Sequence, residues 1–358
     1  MLAATLQHVM SGRNLSREKA RELLQGILSG QVDEALMAAL LVALAMKGES
    51  VDEVVGFAEA MRAAAQPFPH PALDGHAAGS AAPALAVPAN LMLVDTCGTG
   101  GDASGTFNIS TAAALVAAGA GLPVAKHGNR SISSRCGSAD VMEALGVNLA
   151  LPVERLGDCL RQVGMVFLFA PHLHLAMRYV QPVRRQLRVR TIFNLLGPLT
   201  NPARAQAQVV GVFSPALTET LARALGELGV QRAFVVHGDD GLDEFTTTGE
   251  TLVSELNQGR VASYKFDPRR LGLPRVEPAA LAGGGAPENA KAILEVLDGN
   301  PGPKLDIVLL NAAAVLAAGG LAASLEEGLQ RARASVAGGQ ARRKLRQLVD
   351  FTRQFPAP

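Results

Sequence analysis

Three stretches of this 358-residue chain gather residue types that hold anions and metals. The first is Asp95-Thr96-Cys97-Gly98-Thr99-Gly100-Gly101-Asp102, in which three glycines follow an apolar run. Glycine has no Cβ, so the backbone there can bend sharply and approach a ligand closely. The turn leads to Asn108-Ile109-Ser110-Thr111, a helix start whose free N–H groups and dipole favour an anion. The sequence is neither G-x-G-x-x-G nor a Walker loop, and a glycine turn alone serves a purely structural bend equally well. The second stretch is Lys126-His127-Gly128-Asn129-Arg130, followed by Ser131, Ser133, Ser134, Arg135 and Ser138. Cations and hydroxyls in one loop suit a multiply charged phosphate; a solvated polar loop is the bland alternative. The third, His237-Gly238-Asp239-Asp240-Gly241-Leu242-Asp243-Glu244, sets carboxylates side by side without an obvious cationic partner. Such a set suits a hard divalent ion shared with phosphate oxygens, although acidic surface turns look the same when read singly.

The elements that must position these stretches alternate. Apolar strands are expected at Leu91–Asp95, Pro123–Lys126, Met165–Phe169, Ala207–Phe213 and Ala233–His237, with helices between them, including Ser110–Ala120 and Ser138–Leu145. This alternation implies parallel strands joined by crossovers, hence an α/β sheet covered by helices. Each candidate stretch follows the end of a strand, where such sheets bind ligands. Antiparallel edge strands are expected near Leu252–Glu255 and Ala262–Phe266, and helices over Ile307–Ala318 and Leu325–Phe351.

The first 65 or so residues read as a small helical bundle. Ser16 caps a helix running toward Leu28 with Gly30 as its stop, Asp33 opens an apolar helix ending near Lys47-Gly48, and Ser50-x-x-Glu53 is a capping box. The fold class expected is therefore α/β, with a small all-helical N-terminal domain and a large domain built on a mostly parallel central sheet flanked by helices. The boundaries are residues 1–66 for the helical domain, completed by helices around 172–190, then a linker over 67–90, then 91–171 and 191–358 for the α/β domain. The linker is rich in Ala, Pro and Gly, and its His70 and His76 read as solvated loop residues.

Composition narrows the function classes. The formal charge of +1 lacks the basic excess of a nucleic-acid binder. Cys97, Cys136 and Cys159 show no CxxC spacing and read as reduced, packed thiols of a cytoplasmic protein. No secretory signal is visible at Met1-Leu2-Ala3-Ala4-Thr5. The most apolar run, Ala35 to Met46, covers roughly 12 residues, too few to span a bilayer, so no membrane is expected.

Taken together and in order, Gly98–Asp102, Asn108–Thr111, Lys126–Arg130 and Asp243-Glu244 resemble the signature motifs of the anthranilate phosphoribosyltransferases. The segment Arg190-Thr191-Ile192-Phe193-Asn194-Leu195-Leu196-Gly197-Pro198-Leu199-Thr200-Asn201-Pro202 is similar to that family's interdomain stretch. The resemblance spans most of the chain. It implies transfer of a phosphoribosyl group from 5-phosphoribosyl 1-pyrophosphate (PRPP) to the amine of anthranilate, in tryptophan biosynthesis, by a homodimer joined through its N-terminal helices. It implies that Gly98, Thr99, Gly100, Gly101 and Asp102 wrap the pyrophosphate and ribose, and that Thr106, Asn108, Ile109, Ser110 and Thr111 add contacts to the donor. Lys126, Gly128 and Ser138 also serve the donor, and Lys126 and Ser138 hold phosphate. His127 and Asn129 lie where donor meets acceptor, and neither is a certain catalytic group. Gly98, Asn129 and Arg184 take anthranilate. Asp243 and Glu244, with Ser110, hold magnesium, implied as two ions.

Arg184 makes physical sense, because a guanidinium grips a carboxylate through two parallel hydrogen bonds. Read alone, Arg178, Arg184, Arg185 and Arg188 form only a basic helix face. The chain departs from the family pattern at Leu175, where proline usually follows the histidine, and at Ala103, where glycine usually follows the aspartate; the 67–90 linker is also longer than usual. Two rivals differ in chemistry. A pyrimidine nucleoside phosphorylase shares the plan but carries a Ser- and Gly-rich loop after its lysine, where this chain has His127-Gly128-Asn129. A non-catalytic nucleic-acid-binding relative needs a broad basic surface.

Overall fold

Capping residues set the first helices. A computed structural model describes residues 2–69, 91–131 and 135–355. Helix α1 covers Leu2–Met10, α2 Arg17–Leu28, α3 Glu34–Lys47 and α4 Val51–Ala64. Ser16 Oγ accepts the Lys19 N–H, Asp33 accepts from Ala35 and Leu36, and Ser50 and Glu53 close a full capping box. Glu53 does more than cap. Fully buried, it pairs with Lys47 at 2.8 Å and accepts the Leu15 N–H at 2.9 Å, so one carboxylate ties three segments of the bundle.

Seven strands among the described residues form one sheet, ordered β3-β2-β1-β4-β5-β6-β7. They are β1 Val94–Asp95, β2 Val124–Gly128, β3 Met165–Phe169, β4 Ala207–Gly211, β5 Arg232–Gly238, β6 Thr251–Asn257 and β7 Arg260–Phe266. The first five are parallel, and β6 and β7 add an antiparallel edge, as the sequence predicts. The chain runs outward from β1 to β2 and β3, then returns to the other side of β1 for β4 and β5. Strand order therefore reverses at β1 and β4, and a crevice opens beyond their carboxyl ends.

Around the sheet lie α5 (Ile109–Gly119), α6 (Ser138–Ala144), α7 (Val153–Val163), α8 (Ala170–Leu173), α9 (Gln181–Leu187), α10 (Ile192–Leu199), α11 (Leu217–Glu227), α12 (Ala286–Leu297), α13 (Pro303–Ala318), α14 (Leu325–Ala337) and α15 (Gln340–Thr352). Strand alternation divides the core. Val209, Phe234 and Val236 face a cluster with α5 and α13, while Val210, Ala233 and Val235 face a second cluster shared with α2, α3, α4, α10 and α11. Helices α5 and α13 pack on each other and are buried nearly all round, which is why both are almost wholly apolar.

Two expected elements change. The strand expected from Leu91 shrinks to Val94–Asp95. The long helix expected over Leu325–Phe351 breaks at Gly338-Gly339, where Gly339 adopts φ +71°. The stretch carrying Phe193-Asn194-Leu195 forms α10, despite Pro198 in its last turn. Residues 70–90 and 132–134 lie outside the described residues, and with them His70, His76, Ser133, Ser134 and most of the expected linker. Among the described residues no helix is long and apolar enough to cross a membrane.

Candidate active site

Three strand ends deliver most of the side chains. After β1 the glycine turn is pinned on both flanks. Thr99 N–H donates to the Gly211 carbonyl at 2.8 Å, and Gly100 N–H donates to Asp243 Oδ2 at 2.9 Å. On the outer flank Arg190, over the Phe213 ring, donates to the Gly101 carbonyl. Gly100 and Gly101 sit at φ +63° and +80°, which explains the residue type. Ala103 also sits at φ +57°, so the replacement of the usual glycine costs about 1 kcal/mol of backbone strain.

From β2, Lys126 runs beneath this turn. Its Nζ donates to the Thr96 carbonyl and hydroxyl, both at 2.9 Å, and approaches Ser110 Oγ at 3.4 Å. Burial lowers its pKa, against the pull of Asp95 and the acid pair. Ser138 opens α6 with its hydroxyl toward the Asn129 carbonyl. Arg130 is not one of the loop's free cations: it is paired with Asp140 at 3.1 Å and Glu143 at 2.8 Å.

Beyond β5 the acidic stretch divides. Asp239 pairs with Lys265 at 3.3 Å, so the expectation of carboxylates lacking a cation fails there. Asp240 accepts from Thr246 and Thr248 and shapes the turn. Asp243 and Glu244 reach the crevice. Glu244 Oε1 accepts the Ser110 N–H at 3.0 Å at the start of α5. Burial raises the Asp243 carboxyl well above the usual range, reinforced by the charges of Asp102 and Glu244. Burial likewise pushes Glu244 up to about 7, with Lys126 opposing.

The other wall comes from the helical side. Arg184 on α9 is half-buried, its guanidinium 5.8 Å from the Phe193 ring centroid, and it has no carboxylate in salt-bridge range among the described residues. Burial lowers its pKa, as expected for an unpaired cation. His127 Nδ1 contacts the Gly197 carbonyl at 3.1 Å, so Nδ1 carries the proton, and buried Nε2 has no partner. Burial, with His174 nearby, pushes its pKa down to about 3. The His174 ring lies 5.2 Å away, with both nitrogens unpartnered. A 3₁₀ turn forms over Leu175–Tyr179 without the family's proline, leaving Leu175 half exposed.

One cavity of about 360 Å³ unites these walls. It is lined by Gly98, Thr99, Gly100, Gly101, Asp102, Thr106, Asn108, Ile109, Ser110, Lys126, His127, Gly128, Asn129, Ser138, Arg184, Asp243 and Glu244. Thr111 is the exception: it is fully buried in α5, does not line the cavity, and its hydroxyl has no partner. Asn108 Nδ2 donates to the Cys136 carbonyl at 3.2 Å and Oδ1 accepts from Asn289 at 3.0 Å, which leaves one amide N–H for a ligand. Sequence reading missed Phe193, Asn194, Gly197 and Gly284 of the lining. Phe193, Asn194 and Gly197 stand in the quoted Arg190–Pro202 stretch, which was given no site role, and the run Gly283-Gly284-Gly285 was the visible signal for Gly284. A Cβ on Gly283 would sit 2.6 Å from the Phe107 nitrogen.

For a hard divalent cation the donors fit. Beyond burial, the charge of Asp102 raises the cost of ionising both Asp243 and Glu244, and Glu244 adds to that of Asp243; a metal would relieve it. A second cluster, Asp95, Cys97 and His127, has ligand atoms within 4.8 Å of one another but does not fit. Asp95 already accepts three hydrogen bonds, and burial holds the Cys97 thiol protonated.

A glycosyl transferase family model for a helical bundle domain matches residues 3–65, and one for the following a/b domain matches 90–342. An anthranilate phosphoribosyltransferase of Pelotomaculum thermopropionicum is 50% identical over 354 residues, covering 98% of this chain and 97% of the relative. The crystal structure of the Thermus thermophilus anthranilate phosphoribosyltransferase superposes with a TM-score of 0.87 at 44% identity, covering 97% of this chain and 99% of that one. The Saccharomyces cerevisiae enzyme, in complex with PRPP and Mg, gives a TM-score of 0.86 at 27% identity, over 99% and 98% of the two chains. Likeness at this identity, over both domains and the full length, extends well beyond the shared fold: the chain belongs to the anthranilate phosphoribosyltransferase family.

Proposed function

We infer that this cavity is where the chain transfers the phosphoribosyl group of PRPP to the amino group of anthranilate, giving N-(5-phosphoribosyl)anthranilate and pyrophosphate in tryptophan biosynthesis. One observation carries the placement. Glycine amides, a buried lysine and three carboxylates converge on one side of the cavity, while an unpaired arginine lines the same space.

The Gly98–Asp102 turn, Thr106, Asn108, Ile109 and Ser110 surround the pyrophosphate and ribose, with Thr111 contributing through its place in the first turn of α5. Lys126, Gly128 and Ser138 serve the donor's phosphates. Asp243, Glu244 and Ser110 hold Mg2+, with room in this reading for two ions. The metal, when bound, supplies positive charge to the departing pyrophosphate. Arg184 takes the anthranilate carboxylate, with Gly98 and Asn129 beside it. His127 is too weakly basic to take a proton at pH 7. Its free Nε2 accepts a hydrogen bond and orients the amine. The aromatic amine is a neutral nucleophile, so orientation and exclusion of water carry the chemistry.

The test is loss of anthranilate fluorescence with PRPP and Mg2+. Turnover that requires all three is expected; no turnover sinks the reading. The homodimer belongs to the same proposal. Met10 and Met46, at the ends of α1 and α3, are 71% and 84% exposed, apolar side chains that an interface through these helices would cover. Light scattering is expected to give twice the chain mass, and a monomer with full activity sinks that part.

A further inference from the structure

Asp95 does not reach the cavity, yet both halves of it hang on its carboxylate. Asp95 is fully buried at the end of β1. Its Oδ1 accepts the N–H of Thr96 at 2.7 Å and of His127 at 3.0 Å, and its Oδ2 accepts from Asn201 Nδ2 at 2.8 Å. Strand β1 pairs with β2 only at Val94↔Val124. One residue further on, the carboxylate takes over from the backbone ladder in joining the two strand ends.

The three partners belong to different parts of the site. Thr96 begins the glycine turn and accepts from Lys126 through its carbonyl and hydroxyl. His127 faces the acceptor side, its ring fixed by the Gly197 carbonyl. Asn201 lies just after α10, which carries Gly197, and the same Nδ2 also donates to the Ala125 carbonyl at 2.8 Å. The histidine is thus held by its backbone to Asp95, by its ring to Gly197, and through that segment back to Asp95. Sequence reading used Asp95 only as a strand end and Asn201 only as part of a motif.

We propose that Asp95, acting with Asn201, is a positioning residue that fixes the donor turn against the acceptor-side histidine. The proposal rests on the assignment of those two sides above. Amine attack on the anomeric carbon is sensitive to ångström errors of placement, whereas each substrate's own contacts lie within one half. Asp95→Asn keeps the shape but sets an amide NH2 against either Asn201 or the two backbone N–H groups. It is expected to lower the single-turnover rate by about tenfold or more, with the KM for each substrate within about threefold of wild type. Asn201→Ala, which removes the Oδ2 partner together with the bonds to the Ala125 carbonyl and the Ala203 N–H, is expected to give the same split, and the double variant to fall no further than the worse single one.

Rates are taken per active site, alongside the thermal midpoint, since a purely structural role would reduce stability and the active fraction but leave the rate per site unchanged. An unchanged rate per site overturns the proposal. So does a KM rise confined to one substrate, or multiplicative loss in the double variant. If Asp95→Asn does not fold, Asn201→Ala carries the test. A wild-type protein inactive with PRPP, anthranilate and Mg2+ sinks the site assignment itself; active wild type with unchanged variants sinks only this inference.

Discussion

Removing Arg184 gives the sharpest test of where the acceptor binds. Its guanidinium is half-buried, without a carboxylate partner, and lies along the Phe193 ring. A hydrogen bond to a charged group contributes about 1.5–3 kcal/mol, and a bidentate pair has two. Part of this gain is offset, because anthranilate loses its hydration on entering. A net loss of about 2–3 kcal/mol is expected for Arg184→Ala, or roughly 30- to 150-fold in the anthranilate KM at saturating PRPP. The KM for PRPP, whose proposed contacts come from the strand ends rather than from α9, should move by less than about threefold. The assay is steady-state anthranilate fluorescence, each substrate varied in turn. Loss of the Phe193 contact is separated by repeating the series with 2-aminobenzamide, which keeps the amine and ring but has no carboxylate. Wild type and variant should use this analogue with similar efficiency. Equal rises in both KM values, or an equal penalty on the neutral analogue, would refute the reasoning.

Asp243→Asn with Glu244→Gln should abolish Mg2+-dependent turnover while removing two carboxyls that burial, with the charge of Asp102 beside them, makes costly to ionise, so the melting temperature at pH 7.5 should hold or rise; turnover surviving in chelator contradicts the metal role. Gly128→Ala places a Cβ 2.3 Å from Ser138 Oγ and 2.6 Å from the Phe167 ring. It should raise the KM for PRPP by about tenfold or more, and an unchanged value would remove Ser138 from the donor side. Burial pushes His174 down to about 4, below its unfolded value near 6.5. The unfolded chain therefore binds the extra proton, and this histidine's contribution to stability falls as pH drops from about 6.5 toward 4. Relative to wild type, His174→Gln should gain melting temperature between pH 7 and pH 5; a constant difference would show that the ring is not buried neutral.

Much of the architecture was legible because local rules and tertiary structure agree. Ser16, Asp33 and Ser50 cap the helices they were expected to cap, and the alternation of short apolar runs with helices gave the parallel sheet and its antiparallel edge. The motifs at three strand ends could be read as a ligand site because the direction of parallel strands sends all of those ends the same way. Where the chain misled, the cause was context. The strand expected from Leu91 begins only at Val94, since the Met92 N–H donates to the Gly319 carbonyl and the Leu93 N–H to the Gln206 side chain rather than to a neighbouring strand.

Residue type read together with the family resemblance therefore pointed to what the site suits: glycines for close approach, a lysine and serines for phosphate, acids for a hard cation, an arginine for a carboxylate. Only the tertiary structure decided which members of each run come to the cavity unpaired. Asp239 is spent on Lys265 away from the cavity, and Arg130 lines the cavity but is paired with Asp140 and Glu143, while Asp243, Glu244 and Lys126 also reach it. The order β3-β2-β1-β4-β5 brings residues more than a hundred positions apart to one crevice, and places Asp95 and Asn201 beneath it. Sequence spacing cannot report this, because long-range hydrogen bonding depends on which strands become neighbours, and that is settled by how the whole core packs.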